Sequence, residues 1–274
     1  MKRMTEGILL SLVGAVTVLR LSRRTGFFEA GTRVSRGAML KLAGLGVTAL
    51  VSGPWRNRGS ALASSPNAVA DAPGCVLSPE MTQGPYYIPR EKIRSNIREG
   101  RPGTPLQLRL TVVDASTCKP IKGAAVDIWH CDAGGIYAGF MSASTGGPPG
   151  GNAGPTDKRT FLRGIQRTNA RGLAAFKTIY PGWYRGRTVH IHVMVHLGGV
   201  VVGHIVHTGQ LFFSDALTSK VYATGAYRSR ASARDTFNRS DSIYAAGGAQ
   251  STLTMNHDGR GGYIGTITLG VHQS

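Results

Sequence analysis

Apolar and polar positions alternate from Leu106 to Val113 (LQLRLTVV), a two-residue period that predicts a strand with one buried face. Gly123–Trp129 (GAAVDIW), Phe161–Gln166 and Leu173–Thr178 are shorter runs of the same kind, separated by the turn-rich stretches Asp114–Lys122 and Asn169–Gly172. Thr188–Leu197 and Val200–Phe213 follow as longer strands joined at Gly198-Gly199. After Ser214 the composition turns helical or irregular through about Tyr244, and Thr252–Asn256 and Tyr263–Val271 then read as strands around a His257-Asp258-Gly259 turn. Gly139–Asp157 is dominated by glycine and proline and reads as loop. Short strands, frequent glycine turns and no repeated βα unit predict a mainly β chain, an antiparallel β-sandwich with long loops and little helix.

The first 73 residues follow another pattern. Two uncharged runs, Gly7–Leu19 and Leu42–Trp55, flank the basic stretch Arg33–Lys41, and each is shorter than a comfortable membrane span. A basic region, a short apolar run and small residues at Ala61-Leu62-Ala63 or Ala68-Val69-Ala70 have the order of a secretory signal. Ser35–Lys41 (SRGAMLK) resembles a twin-arginine export motif in which Gly37 replaces the second arginine. Residues 56–74 are rich in Ala, Ser and Pro and read as a linker. The expectation is a signal or anchor segment with its linker over residues 1–73, and one folded domain over 74–274 that begins with an extended arm, Cys75–Pro89. The chain is expected to be exported, secreted or associated with the cell envelope by a twin-arginine-like route. Cleavage and membrane anchoring both stay open.

Charge changes this picture little. The formal net charge is +18, of which residues 1–60 carry +8, as suits a targeting segment. The remaining excess is arginine scattered through loops, without a dense basic run or an aromatic nucleic-acid motif, so no nucleic-acid partner is expected. Three cysteines, Cys75, Cys118 and Cys131, lack the paired spacing of a zinc module. In an exported body two of them would pair. Cys118 and Cys131 flank opposite ends of one predicted strand, which leaves Cys75 as the expected partner of one or the other.

The candidate chemistry centres on Tyr180–His196 (YPGWYRGRTVHIHVMVH), where Pro181 and Gly182 predict a turn into the strand. His190 and His192 are two apart, so both imidazoles leave the same strand face with Cα atoms roughly 6.5–7 Å apart. A buried face gains nothing from two polar rings unless something satisfies them. His196 shares that face but lies about 13 Å beyond His192; His130, His204 and His207 read as structural or surface residues. No acid falls between Asp157 and Asp215, so a two-His-one-carboxylate ferrous site or a zinc hydrolase is poorly supplied locally. Tyrosines are better placed: Tyr184 lies six residues before His190, and Tyr137 ends WHCDAGGIY. A phenolate is a hard anionic donor suited to ferric iron; two phenolates with two neutral imidazoles leave Fe(III) about one positive charge, which a bound hydroxide would neutralise, easing burial.

These segments resemble the intradiol ring-cleavage dioxygenases, the family of catechol 1,2-dioxygenase and protocatechuate 3,4-dioxygenase, and within it the secreted single-domain bacterial branch. The resemblance covers about residues 75–215 and keeps the family order of motifs. It implies a non-haem Fe(III) held by Tyr137, Tyr184, His190 and His192. Arg187 in GRTVHIH and Gln210 in HTGQLFF would stabilise negative charge on the ring, and Gly84, Pro85 and Tyr86 in TQGPYY would line the substrate pocket. The implied reaction cleaves a catechol-type ring between its two hydroxyls with O2 to a cis,cis-muconate-type product. Tyr184 would leave the iron to accept a substrate proton. Two rivals stand beside it: a zinc or copper enzyme reusing the two histidines, and a non-catalytic transthyretin-like module that binds polysaccharide or lignin-derived material. A homodimer and a monomer are both open, as is the identity of the diphenol.

Overall fold

The computed structural model describes residues 75–141, 154–199 and 203–273. The segment expected over 1–73, much of the Gly139–Asp157 loop and the expected strand start at Val200 lie outside the described residues. The described residues form eight strands: β1 (Pro105–Asp114), β2 (Ala125–Trp129), β3 (Arg163–Arg167), β4 (Leu173–Ile179), β5 (His190–Leu197), β6 (His204–Phe212), β7 (Thr254–His257) and β8 (Tyr263–Val271). Between β6 and β7 lie α1 (Asp215–Tyr222), two 3₁₀ segments and the one-turn α2 (Ser242–Ala245), in the region whose composition predicted helix or irregular chain.

The strands form two sheets, ordered β4-β1-β8-β7 and β3-β2-β5-β6. On β1 the alternation works as expected: Leu106, Leu108, Leu110 and Val112 are buried while Pro105, Gln107 and Arg109 are exposed. These leucines join Val126 and Ile128 of β2, Phe176 of β4 and Ile191, Val193 and Val195 of β5 in one core between the sheets. One ladder departs from the antiparallel expectation. β1 and β8 run parallel over nine register pairs, from Leu106 opposite Tyr263 to Asp114 opposite Val271. Strand ends also shift: β5 begins at His190 rather than Thr188, and β7 at Thr254 rather than Thr252.

The arm expected at Cys75–Pro89 is extended and reaches both sheets, with Leu77 bridging Gly270 and Met81 N–H donating to Thr208 C=O at 2.8 Å. Its start is fastened by a Cys75–Cys118 disulfide, while Cys131 is free and buried. That is one of the two pairings anticipated for Cys75. The arm lies over the outer face of the second sheet, which is why β5 is buried on both faces from His190 to His196.

Candidate active site

Antiparallel register assembles the site. Trp129 lies opposite Arg163 on one side and His192 on the other, and His192 lies opposite Gln210. One cross-strand row on the outer face therefore reads Arg163, Trp129, His192, Gln210, with His190 opposite Phe212 in the next row. The Trp129 indole stacks on the His192 imidazole with centroids 4.9 Å apart and planes 3° apart. This fixes the ring against rotation.

The two tyrosines come from loops laid against that face. Tyr137 ends a tight loop in which Asp132 Oδ1 accepts from the Gly134 and Ile136 N–H groups, at 2.8 and 3.0 Å. Arg163, fully buried, donates through Nε and Nη2 to the Ala138 carbonyl at 3.0 and 2.7 Å, pinning the backbone next to Tyr137. Tyr184 follows Gly182, whose N–H donates to Asp132 C=O at 3.0 Å. A Cβ at Gly182 would collide with the Asp132 and Ala133 carbonyls, so only glycine lets the two loops touch here. The turn expected at Pro181-Gly182 sits instead at Arg185-Gly186, where Gly186 has φ 78°. Close backbone approach, not a bend, is what residue 182 supplies.

These elements bring the four predicted donors together. Tyr184 Oη is 3.1 Å from His190 Nε2, His190 Nε2 is 3.1 Å from His192 Nε2, and the Tyr137 and Tyr184 rings meet edge to face at 5.6 Å. His190 Nδ1 donates to Thr188 C=O at 2.7 Å; a carbonyl only accepts, so the proton sits on Nδ1 and the Nε2 lone pair faces the cluster. Burial, with the Arg187 charge second for His190 and the His190 charge second for His192, holds both imidazoles far below the ordinary histidine value. Burial likewise pushes the Tyr137 and Tyr184 phenols upward, while the Arg187 cation opposes it. His192 Nδ1 is buried without a hydrogen-bond partner among the described residues. If Nδ1 carries the ring proton, that proton is unsatisfied and two Nε2 lone pairs face each other; if Nε2 carries it, Nδ1 is a bare buried acceptor. A cation shared by both Nε2 atoms relieves the lone-pair repulsion and replaces the phenol protons, so the donor set fits a hard, highly charged metal ion. Among the described residues no three His, Cys, Asp or Glu converge on one point.

The other expected residues divide. Arg187 Nη2 donates to Gln210 Oε1, and Gln210 Nε2 donates to Thr82 C=O of the arm at 2.9 Å. Tyr86 is buried and stacks on Tyr137 with centroids 4.3 Å apart. Gly84 has φ 70° and lies against His192, where a Cβ would be 3.0 Å from Cε1. Pro85 is exposed at the turn between them. Outside the cluster, His130 is held by Cys131 C=O and Thr178 Oγ1 at 2.8 and 2.7 Å, and His207 pairs with Glu80 at 2.7 Å.

The local scarcity of acids does not survive folding. Asp241 reaches Arg187, and Asp127 and Glu91 are buried near Arg163 behind Trp129. Burial raises both carboxyls, that of Asp127 well above the usual range, with the neighbouring Glu91 charge second for Asp127. Neither Asp127 oxygen has a hydrogen bond of ordinary geometry, although the Tyr87 hydroxyl approaches it. Trp129 opens the WHCDAGGIY segment but the sequence assigns it no role, and Arg163 lies in no motif; strand register is what points both to the site.

A family model described as "Dioxygenase" matches residues 82–225, which contain all the predicted donors and Gln210. The chain belongs to the intradiol ring-cleavage dioxygenases. Among solved structures, an intradiol ring-cleavage dioxygenase from Tetranychus urticae is 38% identical with a TM-score of 0.66, covering 72% of this chain and 95% of that one. The dioxygenase domain of a dioxygenase and carbohydrate-binding protein fusion from Streptomyces sp. SirexAA-E is 25% identical with a TM-score of 0.52, over 73% and 100% of the two chains. A 3-chlorocatechol 1,2-dioxygenase from Rhodococcus opacus 1CP, 21% identical with a TM-score of 0.51 over 72% and 73%, shares the fold. No curated protein matches the chain. As an intradiol dioxygenase the chain is an enzyme, and the binding-module alternative is not favoured.

Proposed function

We propose that this intradiol dioxygenase holds a non-haem ferric ion on Tyr137, Tyr184, His190 and His192. On it the enzyme cleaves a catechol-type ring between its hydroxyls with O2 to a cis,cis-muconate-type product. The supporting observation is the meeting of Tyr184 Oη, His190 Nε2 and His192 Nε2 within 3.1 Å contacts, beside Tyr137, on a buried sheet face. When bound, ferric iron supplies a Lewis acid that draws electron density from a chelated diphenolate and makes the ring reactive toward O2.

The chain's residues do the rest. His190 and His192 are fixed by the Thr188 carbonyl and the Trp129 ring, and Tyr137 by the Arg163 clamp, so these three form the rigid part of the site. Tyr184 sits on the loop before β5 and is the donor assigned to take a substrate proton at Oη. Arg187 supplies N–H groups for negative charge that develops on the ring, with Gln210 Oε1 holding its Nη2 in place. Tyr86 and the arm exclude water from the Tyr137 side.

Purified protein should contain iron, absorb visible light through phenolate-to-iron charge transfer and consume O2 with catechol. Tyr184→Phe and His190→Ala should each alter that absorption; unchanged spectra would reassign the donors. Protocatechuate and hydroxyquinol, assayed alongside catechol by oxygen uptake, would resolve the diphenol. We also propose export to an oxidising compartment. The Cys75–Cys118 disulfide supports it, because such bonds persist where thiols are not kept reduced.

A further inference from the structure

Arg187 has a partner that lies outside the stretch matched by the family model. Asp241 sits just before α2, and its carboxylate is 2% exposed with all its acceptor sites used in two directions. Oδ1 caps α2, accepting from Ile243 N–H at 2.8 Å and Tyr244 N–H at 3.0 Å. Oδ2 accepts from Arg187 Nε at 2.9 Å and from Thr188 N–H at 2.8 Å. The guanidinium is thus held at Nε by Asp241 and at Nη2 by Gln210, across 54 and 23 residues of sequence. Its charge is felt by Tyr137, Tyr184, His190 and His192.

We propose that Asp241 is a positioning residue for ring cleavage, acting on the reaction through Arg187. An arginine side chain loses considerable rotamer entropy when fixed, and its N–H groups stabilise developing charge only if they need not reorganise. Asp241 removes that freedom in the resting protein. Because the carboxylate also balances the guanidinium charge, the pair offers directed N–H groups rather than a net positive pocket. It therefore acts on turnover more than on substrate capture. The segment after residue 225, which the family model does not reach, thereby takes part in positioning the site.

The inference rests on the role assigned to Arg187, and the experiment separates the two. The full-length iron-loaded enzyme is assayed with catechol as wild type, Asp241→Ser, Asp241→Asn, Arg187→Ala and the double variant Asp241→Ser/Arg187→Ala. Serine is a preferred N-cap, so Asp241→Ser keeps α2 capped while withdrawing the partner from Arg187; circular dichroism and thermal unfolding confirm the fold. Both Asp241 variants should lower kcat by about 10–100-fold, with KM for catechol and the phenolate-to-iron absorption nearly unchanged. The double variant should be no slower than Arg187→Ala beyond about twofold. Full turnover in folded Asp241→Ser overturns the inference and leaves the Arg187 reading standing. So does a double variant that loses the product of both single effects, because Asp241 then acts independently. Full turnover in Arg187→Ala overturns the reading and the inference together, as does a wild type without phenolate-to-iron absorption.

Discussion

Gly84→Ala tests how tightly the arm and the site are coupled. Gly84 has φ 70°, a left-handed conformation in which a side chain costs about 1–2 kcal/mol. Gly100 has φ 74° with nothing within 4 Å of an added Cβ, so Gly100→Ala carries the backbone penalty alone. At Gly84 the new methyl also meets His192 Cε1 at 3.0 Å. The imidazole cannot yield easily, because Trp129 lies parallel to it and His190 stands edge-on at 4.7 Å. Forcing such a ring off its rotamer costs about 0.5–1.5 kcal/mol more. Gly84→Ala should therefore lose about 1.5–3.5 kcal/mol against about 1–2 for Gly100→Ala. Urea unfolding of the iron-free proteins, read by near-ultraviolet circular dichroism, measures both. With a slope of about 1–3 kcal/mol/M the extra penalty separates the midpoints by about 0.2–1.5 M. In competition with a chelator, Gly84→Ala should also bind iron about 10-fold more weakly, and Gly100→Ala like wild type. Equal stability and equal iron affinity in the two variants would refute the claim that the arm backbone sets the position of His192.

Three further expectations concern the supports. Cys118→Ser opens a closure of 43 residues and should lower unfolding free energy by about 4 kcal/mol on chain-entropy grounds, measured by calorimetry against wild type with and without reductant. Arg163→Met removes both bonds to Ala138 C=O and strands Glu91, 3.8 Å away; it should cost about 3–5 kcal/mol, and adding Glu91→Gln should restore part of that. Asp127 has a folded-state pKa raised above its unfolded value of about 3.9, so the stability linked to its proton is full below pH 4 and lost as pH rises through the raised value. In iron-free protein Asp127→Asn should therefore gain Tm relative to wild type at pH 8 and lose that gain toward pH 4; a pH-independent difference would contradict the shift.

The chemistry was legible where it was local. His190 and His192 needed only the strand period, and Tyr137, Tyr184, Arg187 and Gln210 stand in recognisable order around them. What the sequence hid was set by register and by long-range contact. Trp129 gave no sign that it would lie flat on His192, because the pairing of β2 with β5 is decided by the whole ladder. Asp241 lies 54 residues from Arg187, in a stretch without periodicity, and a search for nearby acids passes over it. Alternation along β1 predicted its inner face correctly but has no direction, so a parallel neighbour looks the same as an antiparallel one. Pro181-Gly182 shows the same limit, since a glycine needed for close approach looks like one needed for a turn.

The parallel pairing of β1 with β8 bears on how the molecule comes into being. β1 lies between β4 and β8, and Ser78 is joined to Gly270 across 192 residues, so the first sheet and the start of the arm close only once β8 is in place. Loop closure on that scale is slow, and it must precede the contacts that reward it. The face bearing His190 and His192 belongs to the other sheet, and the arm residues that cover it, Met81 and Thr82, are tied to β6 rather than to β8. The sheet that carries the site can therefore pair and be covered before the long closure of β1 on β8 is complete. The donor cluster and the slow long-range ladder are thus housed in separate sheets of one fold.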